Sequence, residues 1–307
     1  MSEGSLLDSL QVVLGKCNLN VERNQLEVEQ LAGGLTNGMY LIKISGQKRW
    51  VYRVNGTGTE ILVDREAERQ FLQMANEYAI CPKVLFVDEK RMLQEFCDGI
   101  TLGLDAIDDP NIHRLIARKL ARLHGHPIQP SAPWYPQALQ SYLKELDDEE
   151  MSIIGTTLLK IPKDTIMTLC HNDLRLNNVI YQREKEQVFF VDFEYAGLNY
   201  AVYDIAHYFW QHNGAQNRMD FQTVNPENRK LFASEYLREL YQKAPTKHEV
   251  DALLKNVLHF EAANHFLWSI WSRIQHKLGN STAVFSYQLN ARARFECYEY
   301  CLNQIKA

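Results

Sequence analysis

The sequence predicts an α+β fold in two lobes: a small antiparallel-sheet lobe over residues 1–97 and a larger, mainly helical lobe over residues 98–307. Short β-branched and aromatic runs crowd the first hundred residues, whereas beyond the Asp98-Gly99 break the apolar residues recur at helical spacing. At 307 residues the chain is long for one small domain and can bury two cores.

Each element has its own signal. Residues 39–44, 49–54, 83–87 and 92–97 are rich in Val, Ile, Leu, Tyr, Trp and Phe and read as strands. Residues 64–78 read as a helix, because Ala67, Phe71, Leu72 and Ala75 fall on one face. Asp98-Gly99 makes a natural hinge. Residues 113–124 form a second helical pattern with Leu115, Ile116, Leu120 and Leu123 on one side, and the Pro-rich stretch from Pro127 to Pro136 reads as a loop. Residues 178–181 and 188–191 flank the polar stretch 182–187 and read as a hairpin. Helical patterns follow at 201–212, 226–243, 249–277 and 281–305, with no internal repeat.

Composition narrows the function classes. A net charge of −5 argues against a broad nucleic-acid footprint, and no run of eighteen apolar residues predicts a membrane span. The acidic start Met1-Ser-Glu-Gly-Ser-Leu-Leu-Asp8 is not a secretory signal. Six cysteines are scattered without metal-binding spacing, which predicts reduced thiols and a cytoplasmic location.

The most informative stretch runs from Leu169 to Tyr181. His171, Asp173 and Asn178 have the spacing H-x-D-x-x-x-x-N, the pattern of a kinase catalytic loop, in which the Asp orients the acceptor hydroxyl and the Asn binds magnesium. A second carboxylate, Asp192, ends the apolar run Val188-Phe-Phe-Val191. If Tyr181 faces Val188 across the hairpin, Asn178 faces Val191, and Asp192 comes to lie beside Asn178. Magnesium takes few protein oxygens and completes its octahedron with water and phosphate, so an Asn and an Asp suffice. Asp173, on the loop entering the hairpin, is the candidate base. A lone H-x-D or strand-end Asp is ordinarily a loop or capping residue; it is the combination that points to phosphoryl transfer.

Two further features bear on a nucleotide. Gly33-Gly-Leu-Thr-Asn37 precedes a strand, where Gly34 permits close backbone approach to phosphate and Thr36 and Asn37 add donors, although paired glycines before a strand also fit a hairpin turn. It is not a Walker loop. Arg53 sits mid-strand. Its plain reading is a solvent-facing position, and its functional reading is a phosphate clamp held by a helix carboxylate, Glu68 or, second, Glu66.

In their order these motifs resemble those of the choline/ethanolamine kinases, within the wider aminoglycoside-phosphotransferase-like, protein-kinase-like group. The resemblance runs over residues 31–300. It is carried by Gly33–Asn37, Tyr52-Arg-Val54, Thr59–Arg65, Cys170-His-Asn-Asp173 with Asn178, Val191-Asp-Phe-Glu-Tyr195 with Asn199-Tyr200 and Asp204-Ile205, and His265-Phe-Leu-Trp-Ser-Ile-Trp271. It implies a bilobal fold, ATP and Mg2+ as cofactors, and a homodimer. It implies Asp173 as base, Asn178 and Asp192 as metal ligands, and Arg53 with Glu68 as the phosphate-clamping pair. The backbone of Gln94, Glu95, Phe96 and Cys97 becomes the adenine hinge. Trp268 and Trp271 become the aromatic walls for an alcohol's ammonium head.

The last assignment has its own physics. Residues three apart share a helix face, and indole attracts a quaternary ammonium through its ring quadrupole; taken alone, though, the pair also fits core aromatics. The family's acidic residue after the Asp-Ile stretch is replaced by Gln211. The late tyrosine of the cage is Tyr287, unless Asn290 occupies that place. Glu194, beside Tyr195, and Asp204 are other sources of negative charge, with a structural, loop-anchoring role open for Asp204. The expected reaction is phosphorylation of choline to phosphocholine. Ethanolamine, a hydroxyl compound of the aminoglycoside-kinase type, and an inactive nucleotide-binding module are the alternatives.

Overall fold

The computed structural model describes residues 3–31, 37–44, 49–56, 63–126, 132–158, 165–213, 220–281 and 285–306. They form two compact units, one of residues 1–100 and 189–195, the other of residues 101–188 and 196–307. The boundary expected at 97/98 is continuous in the sequence, whereas the first unit takes in a later segment as well.

The first unit opens with a helix, α1 (Glu3–Lys16). A sheet follows, built from β1 (Leu26–Gln30), β2 (Asn37–Ile44), β3 (Arg49–Asn55), β4 (Val84–Val87) and β5 (Arg91–Glu95). Its order is β1-β2-β3-β5-β4 and each adjoining pair is antiparallel. Apolar residues from α1 and the sheet meet in one core: Leu6, Leu10, Val13 and Leu14 pack on Ile42, Ile44, Trp50, Tyr52 and Leu93. Helix α2 (Arg65–Glu77) starts where the Asp64 side chain accepts the amides of Glu66 and Ala67, a standard N-cap. It buries Phe71, Leu72 and Ala75, together with Glu68. The segment 189–195 joins this unit through a hydrogen bond from Phe190 N–H to Ile80 O (3.0 Å) and the packing of Phe193 on Phe71 (ring centroids 5.1 Å apart).

In the second unit β6 (Ile100–Thr101) supplies Thr101, and Leu102 N–H donates to Val179 O (3.0 Å). Helix α3 (Pro110–His124) is capped by Asp109, with Pro110 at the first helical position, where a missing N–H costs nothing. Next come α4 (Trp134–Leu146), α5 (Glu149–Leu158), β7 (Met167–Cys170), β8 (Val179–Gln182) and β9 (Gln187–Phe190), the last running on into the first unit's later segment. The chain then continues through β10 (Gly197–Tyr200), α6 (Ala201–Tyr208), β11 (Trp210–Asn213), β12 (Asp220–Thr223), α7 (Pro226–Tyr241), α8 (Lys247–Lys277) and α9 (Tyr287–Lys306). Helix α8 is central and packs against α4, α6, α7 and α9. It has a capping box, in which Thr246 and Glu249 bond each other's backbone amides.

Four elements depart from the sequence-based expectation. The last helix, expected from residue 281, begins at Tyr287. The loop expected up to Pro136 ends earlier, because Pro136 lies in the first turn of α4, where proline is tolerated. The helix expected over 201–212 stops at Tyr208, and the chain turns extended from Trp210 to pair with β12 in the register Trp210↔Thr223 to Asn213↔Asp220. Asn178 is not the first residue of a strand but the last of the 3-10 turn Leu176–Asn178. Among the described residues no helix is long and apolar enough to cross a membrane.

Candidate active site

The second unit holds the loop that follows β7. Strands β7 and β10 pair antiparallel, Cys170 opposite Gly197 and Met167 opposite Tyr200, and α6 begins directly after β10. Asp204, one turn into α6, accepts the backbone amides of His171 (2.7 Å) and Asn172 (2.6 Å). Its carboxylate also lies 3.2 Å from Nε2 of His124, whose Nδ1 meets the Tyr236 hydroxyl at 2.8 Å. Asp204 is fully buried. Three charge-assisted contacts are what hold a carboxylate there. It anchors the loop, the structural one of the two roles left open for it.

On that anchor the loop turns through Asn172, whose φ of 66° is in the left-handed region that Asn tolerates better than most residues. Asn199 Nδ2 fixes the Asn172 side chain (2.7 Å). Asp173 follows, buried and ringed by donors. Oδ1 lies 3.1 Å from His207 Nε2 and 3.2 Å from Arg175 Nε. Oδ2 accepts from Asn178 Nδ2 at 3.1 Å and from Arg175 at 3.3 Å. Burial alone raises a carboxyl's pKa, but here Arg175 and the His207 hydrogen bond outweigh it and hold Asp173 well below the usual carboxylate range. His207 is itself neutral at pH 7, since burial lowers its pKa to about 4. Asn264 Nδ2 faces its Nδ1 at 2.8 Å, which makes Nδ1 the acceptor and leaves the ring proton on Nε2, toward Asp173.

Asn178 also donates from Nδ2 to the Asp173 carbonyl (2.9 Å), so its amide is oriented with Oδ1 as the remaining acceptor. Gln211 does not replace the acid it stands for. Its Oε1 accepts from Leu176 N–H (2.9 Å) and its Nε2 donates to Tyr208 O (2.6 Å), so both ends pin backbone around the loop. The aromatic candidates do come together. Trp268 and Trp271 are 5.3 Å apart, Trp271 and Tyr287 5.4 Å, and His207 and Trp268 5.5 Å, each pair edge to face. Asn290 instead bonds the Ser272 hydroxyl (2.7 Å).

The first unit holds a separate polar network. Arg53 is buried, not solvent-facing, and its guanidinium lies 2.7 Å from Glu68. Glu68 also binds Arg65 (2.8 Å), and Arg65 reaches Glu194 at 3.6 Å. Asn37 Nδ2 donates to Glu194 (3.3 Å). Glu66, the second choice for Arg53, is exposed and pairs with Arg69. Burial and then the neighbouring charge of Asp192 push the Glu194 carboxyl up to about 8, against the pull of Arg65 and Arg53. Asp192 itself has φ 67°, an uncommon backbone state for a residue without a functional or turn constraint. In the proposed hinge, Glu95 N–H donates to Lys83 O (2.8 Å) and Phe96 N–H to Arg49 O (2.9 Å), so a ligand would meet carbonyls there, not those two amides. Gly34 and Thr36 lie outside the described residues.

Sequence reasoning missed four residues: Arg65, Arg175, His207 and Asn264. Arg175 and His207 carried a readable signal, Arg175 two places beyond Asp173 and His207 three places beyond Asp204 on the same helix. Asn264 carried none, because it meets His207 only through the fold.

The sequence profile of the choline/ethanolamine kinases matches residues 28–155 and 148–299, and the chain belongs to that family of small-molecule kinases. It is 29% identical over 305 residues to mouse ethanolamine kinase 2, covering 92% of this chain and 78% of that one. It is 27% identical to a probable choline kinase 2 of Arabidopsis thaliana, covering 95% of this chain and 90% of that one. The fold is shared with the crystal structure of a choline kinase from Cryptosporidium parvum, with a TM-score of 0.81 at 21% identity over 97% of this chain and 96% of that one.

Two outcomes follow from this geometry. Asp204→Asn replaces one acceptor oxygen with a donor facing backbone N–H, and is expected to cost about 3 kcal/mol of stability in urea unfolding. Glu194 holds its proton more tightly folded than unfolded, so it lowers stability progressively as pH rises from the ordinary 4.5 toward about 8. In metal-free thermal unfolding, Glu194→Gln is therefore expected to raise Tm little at pH 5 and most at pH 8 and above. A gain independent of pH would contradict a raised Glu194 pKa.

Proposed function

We propose that the chain transfers the terminal phosphoryl group of ATP to the hydroxyl of an amino alcohol, and that the alcohol is choline. The observation that carries the reading is Asp173, an ionised buried carboxylate ringed by Arg175, His207 and Asn178. Asp173 orients the acceptor hydroxyl and takes its proton as the alcohol oxygen bonds the terminal phosphorus and the bond from that phosphorus to the bridging oxygen breaks, releasing ADP. Held so far below the usual range, it is a weak base, and its larger contribution is to orientation. His207 and Arg175 keep it ionised and fix its rotamer.

The residues fit magnesium: Asn178 Oδ1 and the Asp192 carboxylate are the hard oxygen donors it prefers, and they are the ligands in this proposal. Bound there, the ion would neutralise charge on the phosphate oxygens. Arg53, kept in place by Glu68, binds ATP phosphate. Gly34, Thr36 and Asn37 contribute the phosphate-approach loop, and Gln94 to Cys97 the adenine edge. Trp268, Trp271 and Tyr287 receive the ammonium head. Tyr195 and Glu194 are assigned to the acceptor's surroundings. Six free thiols fit a reducing, cytoplasmic setting.

Ethanolamine is the second reading, favoured by the naming of the mouse relative. A primary ammonium wants hydrogen-bond acceptors, whereas a trimethylammonium wants aromatic faces. Competition between the two alcohols, followed by ADP release and product mass, is expected to favour choline, and a tenfold ethanolamine preference would reverse the assignment. Asp173→Asn is expected to keep nucleotide binding and lose about 10²- to 10⁴-fold in turnover. Turnover at the wild-type rate would remove Asp173 from its role.

A further inference from the structure

His207 is buried and approached from two sides. Its Nε2 lies 3.1 Å from Asp173 Oδ1, and its Nδ1 lies 2.8 Å from the side-chain amide of Asn264 on α8. Asn264 is itself only 2% exposed. The imidazole is neutral at pH 7, because burial, helped by the positive charges of Arg294 and Arg175, outweighs the pull of Asp173. A neutral ring carries one hydrogen, so one nitrogen donates and the other accepts, whereas an ionised carboxylate only accepts. Nε2 therefore carries the hydrogen, and Nδ1 keeps the lone pair that Asn264 Nδ2 meets. In the opposite tautomer two lone pairs would face each other across 3.1 Å.

Helix α8 touches the same ring twice. Asn264 meets Nδ1, and Trp268, one turn further along, stands edge to face with the imidazole at 5.5 Å between ring centres. Packing on Trp268 holds the ring plane, and Asn264 decides which nitrogen bears the hydrogen. An Asp at 264 would fill the same volume without filling the role. It only accepts, so it would draw a hydrogen onto Nδ1. The ring would then be charged between two carboxylates, or would turn a bare Nε2 toward Asp173. With Asn264 in place His207 has no lone pair to spare, since Nε2 is protonated and Nδ1 is engaged. It is a fixed donor to Asp173, not a second base.

We propose that Asn264 is a positioning residue for the transfer reaction: by holding His207 as its Nε2–H tautomer, it fixes the Asp173 carboxylate for the acceptor hydroxyl. This rests on the amino-alcohol kinase reading and deepens it, and it applies to choline and ethanolamine alike. Asn264 needs no contact with substrate, because its whole effect passes through one imidazole.

Nitrogen-15 NMR of the full chain, labelled at histidine, reads the tautomer directly. The His207 signals are assigned by their loss in His207→Gln. At pH 7 the wild-type ring is expected to carry a hydrogen on Nε2 and none on Nδ1. Asn264→Asp is expected to place a hydrogen on Nδ1 and to lower kcat about 10- to 100-fold, with KM for ATP unchanged. A wild-type ring protonated on Nδ1 overturns the proposal and needs no variant to fold. A folded Asn264→Asp chain with an unchanged ring overturns it too. ADP release separates the proposal from the kinase reading. Release from Asn264→Asp at the wild-type kcat removes the positioning role and leaves the kinase reading standing. No release from the wild-type chain with any amino alcohol removes the kinase reading and the reaction role together, and a ring that still switches in Asn264→Asp then leaves only the contact between Asn264 and His207.

Discussion

One carboxylate sets the geometry of the second unit's site. Asp204 accepts two consecutive backbone amides, His171 and Asn172, and thereby fixes where the chain leaves β7. Everything downstream inherits that constraint. The left-handed turn at Asn172 directs Asp173 toward α6, where His207 sits one helical turn beyond Asp204. The same short helix therefore anchors the loop with one residue and holds the Asp173 carboxylate with another. A helix is stiff over a single turn, so the two contacts cannot drift apart.

The two units handle buried charge differently. In the first, Arg53, Arg65, Glu68 and Glu194 share one another, and only Glu194 is left favouring its neutral form. In the second, neutral groups do much of the work. His207 holds Asp173 as a dipole without adding a charge, and Gln211 ties Leu176 to Tyr208 where a carboxylate would have brought one. Fewer competing charges near Asp173 leave its strongly lowered pKa to Arg175 and to oriented donors.

Much of this was legible in the sequence, and the failures have physical causes. The central sheet strands, α2 and the long helices announced themselves because their apolar periodicity matches the face they bury. Helix α1 carried the same signal, with Leu6, Leu10, Val13 and Leu14 at helical spacing, and went unread. The short strands β7, β10, β11 and β12 are four residues each, too short for a period to show, and β11 is extended only because β12 pairs with it. Asp173 and Asn178 were readable because the loop that joins them is local. Asn264 was not, since its partner His207 lies on another element, 57 residues away.

The segment 189–195 belongs to the unit that residues 1–100 begin. During synthesis that unit stays incomplete until ninety-five further residues have been added, a delay of roughly 5–20 s at ordinary ribosomal speeds. Through that interval the nascent chain lacks the Phe193 ring that packs on Phe71 and the Phe190 amide that bonds Ile80. A fragment ending near residue 100 would thus emerge with part of its apolar surface uncovered until the later segment arrives.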